Sequence, residues 1–410
     1  MRVVCLAVLL AAACAHRSTS PSGTPASPAA GGATGTPKPK VIELEPLRID
    51  VAAPGGRSTV YDARSLLEDG NDALMQRHYD QAPGSYDHLL RDFPDSRLVL
   101  PALYNAGLAL EGKEDFGGAA AKYREVIGRG QKQKGLDPET VKDAQFRLGA
   151  VLAESQGWGE AGTVFETVLD RNDLTPSERV EALARLGYIL VEAKDYAGAE
   201  EILRSALAYH RQIQGTEKLD TDYYVAMCQY YLADIAHRQF NDVPLRYPEE
   251  QLGKDVDWRS ELMLLARDRY IKTVDYKNAF WATAAVYQIG LMYKEFWDAF
   301  MSVPIPTNLK PVEVKAYVEE VNKEPQLRKL LEKSLLYHQR NLEMAKNANV
   351  QTIWVDASIQ GADAARKILA KQQKGELITP GKPAGKIEAL DPVLDADKPG
   401  TDYLPSRLDL

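Results

Sequence analysis

The sequence of 410 residues contains few cysteines, at positions Cys5, Cys14 and Cys228. The first two lie in an N-terminal segment with the pattern of a processed leader, so Cys228 is expected to be the one unmodified thiol of the mature chain. A disulfide framework within one chain is therefore excluded. Cys228 stands in an apolar helical pattern, and we expect it to be packed in the interior.

Histidines are also scarce, and their spacing carries no motif. The six positions are His16, His78, His88, His210, His237 and His338. They show neither His-x3-His nor His-Glu-x2-His spacing, so a zinc site is not predicted. The chain also lacks a Gly-x-Ser-x-Gly nucleophile elbow and the glycine fingerprint of dinucleotide-binding folds. These absences predict that the protein is not an enzyme and takes no metal and no organic cofactor.

Positive charge is not concentrated in this sequence. It has 50 Lys and Arg residues against 58 Asp and Glu residues, a net charge of −8. Both signs alternate along the helical stretches. Because a protein that binds nucleic acid needs a basic face, no nucleic-acid partner is expected.

Long apolar runs are missing as well, and the one at the N-terminus spans only residues 3–13. It is too short to cross a bilayer stably and has the organisation of a secretory signal peptide. Small residues directly before Cys14 resemble the lipobox of bacterial lipoproteins. That resemblance implies a lipoprotein signal peptide over residues 1–13, lipidation of Cys14, and, with Ala15 next to it, sorting to the outer membrane. The other interpretation is an ordinary signal peptide cleaved near Ala13 or Ala15.

Composition changes abruptly after the leader. Ser, Thr, Pro, Gly and Ala dominate the next stretch, and such a composition cannot offset the entropy of ordering. We predict a lipidated flexible linker over residues 14–57, a folded array over 58–371 and a flexible tail over 372–410. Within the linker, residues 41–51 alternate in a way that suits a short extended segment.

The folded part repeats one pattern four times. Its clearest copy is Glu181–Tyr209, which reads as two short amphipathic helices joined at Lys194-Asp195. In each copy a glycine is followed twelve residues later by an alanine, and small residues at this spacing suit a close helix–helix seam. The pairs are Gly70 with Ala82, Gly107 with Ala119, Gly149 with Ala161, and Gly187 with Ala199. Four residues after each alanine comes a large apolar residue: Tyr86, Tyr123, Phe165 and Leu203.

Successive glycines are separated by 37, 42 and 38 residues, slightly more than the 34 residues of a tetratricopeptide unit. The small–small–aromatic pattern across a helix pair resembles the tetratricopeptide repeat family. The resemblance implies an all-α superhelical solenoid of about six helix pairs plus a capping helix.

Two further repeats are longer than the first four. One begins at Leu232-Ala233 and continues at Ala266. The other begins at Ile289-Gly290 and pairs with Glu332–Ala345, whose seam residues are Ser334, His338 and Asn341. A final apolar helix at about residues 350–370 is predicted to cap the stack, because the outer face of a last repeat has no neighbour.

The extra length of these repeats lies in insertions near residues 241–257 and 302–325. Their prolines and charges predict two long loops. Because stacked repeats place equivalent loops on one edge, the insertions are expected to form one surface. The other interpretation is that they are unrelated insertions.

By resemblance to the family, the first helices line a groove that binds segments of partner proteins. The repeat register identifies the positions that lean into this groove: Asn71, Tyr104, Phe146, Tyr188, Tyr230, Asp234, His237, Tyr287 and Lys294. Rigid aromatic rings suit an extended partner segment. The other interpretation is that some of these rings only fill the seams between repeats.

Together these features predict a non-catalytic protein–protein interaction scaffold, lipid-anchored to the outer membrane on its periplasmic side. Its partners would be proteins of an envelope-spanning machine. The plan resembles tetratricopeptide lipoproteins of outer-membrane assembly and of the myxobacterial adventurous gliding-motility machinery. The alternative is a regulator or enzyme of peptidoglycan metabolism, since some tetratricopeptide lipoproteins activate peptidoglycan synthases.

Overall fold

A computed structural model describes residues 46–50, 59–132 and 138–381. The chain divides into a unit Met1–Leu44 and a unit Glu45–Leu410, and all described residues belong to the second. The predicted signal peptide, the lipidation site Cys14 and most of the linker therefore lie outside the described residues.

Fourteen helices make up most of the described part of the chain. They are α1 (Ala63–Met75), α2 (Ala82–Asp92), α3 (Val99–Gly112), α4 (Phe116–Lys132), α5 (Pro138–Glu154), α6 (Trp158–Leu169), α7 (Pro176–Glu192), α8 (Tyr196–Ile213), α9 (Tyr223–Asp242), α10 (Glu249–Val274), α11 (Ala279–Met301), α12 (Pro311–Lys323), α13 (Pro325–Ala348) and α14 (Ile353–Gln373).

These helices pack in six successive pairs. Each of α1, α3, α5, α7 and α9 packs on the helix that follows it, and α11 packs on α13. The first helix of each pair also contacts the first helix of the next pair, while α14 covers α11 and α13. Each repeat therefore contacts only its neighbours, which defines a solenoid whose core is a series of seams. The predicted all-α solenoid with a capping helix is confirmed.

A glycine lies at the centre of five of these six seams, and Ala233 takes its place in the pair of α9 and α10. A Cβ atom built on any of these glycines would stand less than 3 Å from a large side chain of the partner helix. The facing residues are Tyr86 at Gly70, Tyr123 at Gly107, Phe165 at Gly149, Leu203 at Gly187 and His338 at Gly290. Glycine is therefore needed for close approach, and the recurring sequence spacing follows from this geometry.

Thr175 begins the fourth pair with a capping box. The amide N–H of Glu178 donates to Thr175 Oγ1 at 3.2 Å, and the amide N–H of Thr175 donates to Glu178 Oε2 at 2.7 Å. Both bonds satisfy amides that have no partner within α7.

We expect Thr175→Ala to lower the free energy of unfolding by about 1 kcal/mol, because the hydroxyl acceptor is lost. Thr175→Ser keeps that acceptor and should remain close to the wild type. Urea denaturation followed by circular dichroism measures both. Equal losses in the two variants would show that the hydroxyl does not stabilise α7.

The two insertions are mostly helical, so the prediction of two long loops was wrong. Only residues 243–248 of the first lie between helices, and α12 occupies much of the second. Pro248 stands directly before α10 and Pro311 begins α12, positions at which proline does not break a helix. The insertions do contact each other, since the hydroxyls of Tyr247 and Tyr317 are 2.9 Å apart.

A short antiparallel ribbon precedes the helices. Strand β1 (Arg48–Asp50) pairs with strand β2 (Thr59–Tyr61). The hydroxyl of Tyr61 donates to Asp92 Oδ2 at 2.7 Å, which ties the ribbon to the end of α2. Residues 48–50 therefore form an extended strand inside the segment predicted as a flexible linker.

The beginning of the predicted flexible tail is held by the array. Asn322 Nδ2 donates to the carbonyl oxygen of Ile378 at 2.8 Å, and the Ile378 amide donates to Asn322 Oδ1 at 2.9 Å. The amide of Gly381 donates to the carbonyl oxygen of Met301 at 2.8 Å. The tail prediction was therefore wrong for residues 372–381, and residues 382–410 lie outside the described part.

Cys228 is fully buried in α9, and burial raises the pKa of its thiol far above the usual range. An unreactive, packed thiol is the consequence. Separately, across the described ranges no helix combines the length and the apolar character needed to cross a membrane.

Candidate functional site

The first helices of the four N-terminal pairs share one half-buried face, which we call the inner face. Its side chains stand three or two residues before the seam glycine, or one or four residues after it. Equal offsets from the glycine place them on the same side of each helix. They are Asn71, Tyr104, Asn105, Leu108, Glu111, Phe146, Arg147, Ala150 and Arg185. Three of the positions predicted from sequence, Asn71, Tyr104 and Phe146, are on this face.

Polar side chains join neighbouring first helices along the inner face. Asn105 Nδ2 on α3 donates to Asn71 Oδ1 on α1 at 2.8 Å. The hydroxyl of Tyr86 donates to the same oxygen at 2.8 Å. This shared acceptor fixes the amide of Asn71 and connects both helices of the first pair to the second pair.

Glu111 makes the corresponding connection between the second and third pairs. It accepts from Arg147 Nη1 at 3.3 Å and from the hydroxyl of Tyr123. Burial raises the pKa of Tyr123, and the nearby Glu111 charge raises it further. Burial alone would lower the pKa of Arg147, but Glu111 beside it raises that pKa above its usual range. The phenol therefore stays neutral, whereas the arginine stays charged and paired.

Arg238 on α9 joins the fourth and fifth pairs. Its Nε donates to Asp234 Oδ2 at 2.6 Å, and its Nη2 donates to Glu192 on α7. On the same junction, the hydroxyl of Tyr224 donates to Glu181 Oε1 at 2.7 Å. Each of these three junctions thus contains hydrogen bonds that connect neighbouring first helices.

The tyrosines predicted to line the groove beyond the third pair are buried, so this part of the prediction was wrong. Tyr188, Tyr230 and Tyr287 are at most 2% exposed. Their rings pack on other rings of the core, with centroid distances of 5.2 Å from Tyr188 to Tyr231, 4.9 Å from Tyr230 to Trp281, and 5.5 Å from Tyr287 to Trp354. These rings fill the seams between repeats, which was the other interpretation.

The charged positions predicted for the same part of the groove are also buried and already paired. His237 Nε2 lies 2.6 Å from Glu295 Oε2, and its Nδ1 lies 3.2 Å from the Tyr270 hydroxyl. Lys294 Nζ donates to both carboxylate oxygens of Asp298, at 2.6 and 2.7 Å. Asp234 accepts from Arg238. Asp234, His237 and Lys294 are therefore structural residues, and their prediction as groove residues was wrong.

Sequence reasoning missed the polar row that stands two residues before the seam glycine. Asn105, Arg147 and Arg185 occupy this offset in three successive repeats. The sequence contained this signal, because the repeat register that located the tyrosines also shows a polar residue two positions before the glycine in these three repeats. A surface with half-buried rings beside fixed charges suits a polypeptide ligand. Within the described ranges, no group of three His, Cys, Asp or Glu side chains could hold a metal ion.

This helix-pair solenoid is of the class that presents an extended surface along its stacked repeats. The Tetratricopeptide repeat family matches residues 67–134 and 144–214. The matched residues cover most of the first four helix pairs, which are therefore similar to tetratricopeptide repeats, and helix pairs of the same plan continue beyond the matched residues. The fold is consistent with a protein–protein interaction scaffold.

The solved structures that match this chain share little sequence with it. A tetratricopeptide repeat protein from Parabacteroides merdae is 15% identical, with 76% of this chain and 98% of that one covered and a TM-score of 0.35. The apo form of RapI is 11% identical, with 75% and 99% covered and a TM-score of 0.41. BtubC from P. vanneervenii is 14% identical, with 79% and 99% covered and a TM-score of 0.33. The comparison with curated proteins finds no match.

Proposed function

We propose that the protein is a non-catalytic interaction scaffold that binds an extended segment of a partner protein on the inner face of its first four helix pairs. The observation that carries the proposal is the half-buried state of Tyr104 and Phe146. These rings lie beside Leu108 and Ala150 and remain accessible, whereas the aromatic residues at the same offset in the last two pairs are sealed in the core.

The proposal further assigns the protein to the periplasmic face of the outer membrane, anchored by lipid on Cys14. Its support is the sequence of residues 1–57 alone. A linker of about 40 residues has a root-mean-square reach of roughly 35 Å, so the array would work away from the bilayer surface. The partners would be proteins of an envelope machine of the gliding-motility or outer-membrane assembly kind.

Binding at the inner face is tested by adding a bulky side chain to it while keeping the side chains that form its hydrogen bonds. Ala150→Arg adds a long cationic side chain to its centre, whereas Thr167→Arg adds the same side chain to the exposed face of α6. We expect Ala150→Arg to reduce partner capture from detergent-solubilised envelope about tenfold or more, because a misplaced charge must be desolvated in the interface. Thr167→Arg should capture normally. Equal capture by both variants, with unchanged circular dichroism, would contradict the proposed site.

The anchor is tested separately with Cys14→Ser. The wild-type chain should sediment with outer-membrane fractions and the variant should be released as soluble protein. Release of both forms would contradict the lipid anchor and leave the inner-face test unaffected. Recovery of peptidoglycan synthases as the captured partners would favour the alternative function in cell-wall metabolism.

A further inference from the structure

The outward side of α10 exposes four large apolar side chains. Trp258, Leu264, Leu265 and Ile271 are between 42% and 56% exposed. No other helix in the described part of the chain exposes more than one large apolar residue to this extent. Single exposed apolar residues are ordinary, but a group of four on one helix marks a surface for interaction.

The four residues form two rows along the helix. Trp258 and Leu265 are seven residues apart, as are Leu264 and Ile271, and seven residues complete about two helical turns. At 100° per residue, a line of acidic side chains falls between the two rows. That line contains Asp257, Glu261 and Asp268. Lys254 and Lys272 lie beside it, but Glu250, which pairs with Lys254, and Asp275 lie on the same line, so the surface stays net acidic. We call the four apolar residues together with Asp257, Glu261 and Asp268 the α10 face.

The helix that carries this face is rigidly held from behind. Its opposite side buries Met263, Ala266 and Tyr270 in the core. Arg259 lies 4.1 Å above the ring centroid of Phe240, and its Nη1 donates to the carbonyl oxygen of Val243 at 2.6 Å. The α10 face is therefore preformed, so a ligand would not have to order it on binding.

Charge decides which ligand fits the α10 face. Asp257 and Glu261 form no salt bridge within the described residues, and Arg267 pairs with Asp268 from one side. A second copy of the chain would bring the same carboxylates together, and an anionic lipid surface would be repelled by them. We propose that the α10 face binds an amphipathic helix of a partner protein whose apolar stripe is flanked by lysine or arginine. Two apolar rows at a spacing of seven residues are the complement of such a helix.

This inference does not depend on the inner face, which belongs to the first helices of other repeats. The probes are two synthetic 21-residue helical peptides, one built from leucine and lysine at heptad spacing and one with glutamate in place of lysine. The protein is the full mature chain in detergent. Trp258 reports binding directly, because Trp281, Trp297 and Trp354 are at most 2% exposed and Trp158 is half-buried. We expect the lysine peptide to protect Trp258 fluorescence from acrylamide quenching and the glutamate peptide to have no effect. Trp258→Phe should abolish the signal.

Two sets of variants distinguish binding at the α10 face from non-specific binding of the peptide to exposed apolar residues. Asp257→Lys combined with Glu261→Lys and Asp268→Lys should weaken the lysine peptide at least about tenfold and allow the glutamate peptide to bind. Trp258→Ala combined with Leu265→Ala removes the fluorescent reporter, so its binding is measured by titration calorimetry; it should weaken the lysine peptide about 30-fold, as expected for loss of a buried tryptophan anchor. The matched controls Leu336→Ala and Ile359→Ala remove equally exposed apolar residues from α13 and α14 and should change nothing.

Three results would overturn the proposal. The first is equal binding of both peptides to the wild type, and the second is unchanged preference after charge inversion with circular dichroism intact. The third is self-association of the wild type that Trp258→Ala with Leu265→Ala abolishes, measured by sedimentation velocity. That result would assign the α10 face to a second copy of this chain.

Discussion

Gly107→Ala is expected to lower the free energy of unfolding by about 1 kcal/mol net, although alanine is the better helix former. The added Cβ would stand 2.6 Å from Cε1 of Tyr123. That ring cannot swing away, because its hydroxyl donates to Glu111, which is itself bonded to Arg147. Overpacking of this kind costs about 1–3 kcal/mol and exceeds the gain of about 1 kcal/mol in helix propensity.

Gly128→Ala is the matched control for this prediction. Gly128 also lies inside a helix, α4, and a Cβ built there meets no atom within 4 Å. This variant should therefore raise the free energy of unfolding by up to about 1 kcal/mol. Thermal and urea unfolding of the two variants measure the difference between a seam position and an open one. If both substitutions stabilise the chain, Gly107 is not required for close packing of α3 on α4.

The repeat architecture was predictable because it rests on local spacing. The glycine and the ring sixteen residues later meet across a single short turn, so their contact follows from sequence separation alone. The capping box at Thr175 has the same property, with both bonds closed over three residues. Contacts between residues close in sequence are determined by a few neighbouring residues and do not depend on the rest of the fold.

The accessible surface was less predictable because it depends on distant residues. Tyr104 and Tyr230 are the same residue type at the same offset from the repeat centre, yet only Tyr230 is sealed. The difference is Trp281, which reaches it from the next first helix. No register argument shows whether such a neighbour is present.

The structures of the insertion near residues 241–257 and of the tail from residue 372 were also not predictable from their own composition. The prolines before residue 249 suggested a loop, but one of them simply precedes a long helix. The residues around Ile378 are of loop composition, and their order comes from Asn322, which lies 56 residues earlier. The side-chain amide of Asn322 thus fixes a segment whose composition is typical of a flexible tail. The composition of that segment contains no information about Asn322.

His338 is expected to make the array lose stability in mild acid. Its ring is 1% exposed and lies between Gly290 on α11 and Gly361 on α14. Burial lowers the pKa of His338 from 6.5 to about 4. Because the folded state disfavours the protonated ring, its stability is complete above pH 6.5 and falls as the pH drops from 6.5 to 4. The full depression corresponds to about 3 kcal/mol of unfolding free energy.

The contribution of His338 is isolated by comparing the pH dependence of unfolding in His338→Gln and in the wild type. Carboxylates with lowered pKa, such as Asp255 beside Arg246, also lose their stabilising effect in acid, but in both proteins alike. The difference between the two curves should therefore follow His338 alone and level off below pH 4. His78→Gln, at an exposed position, should reproduce the wild-type curve. If the unfolding free energies of the wild type and His338→Gln depend on pH in the same way, the seam between α11 and α13 accommodates a charged imidazole. The glycines on either side of His338 would then not exclude water from its ring.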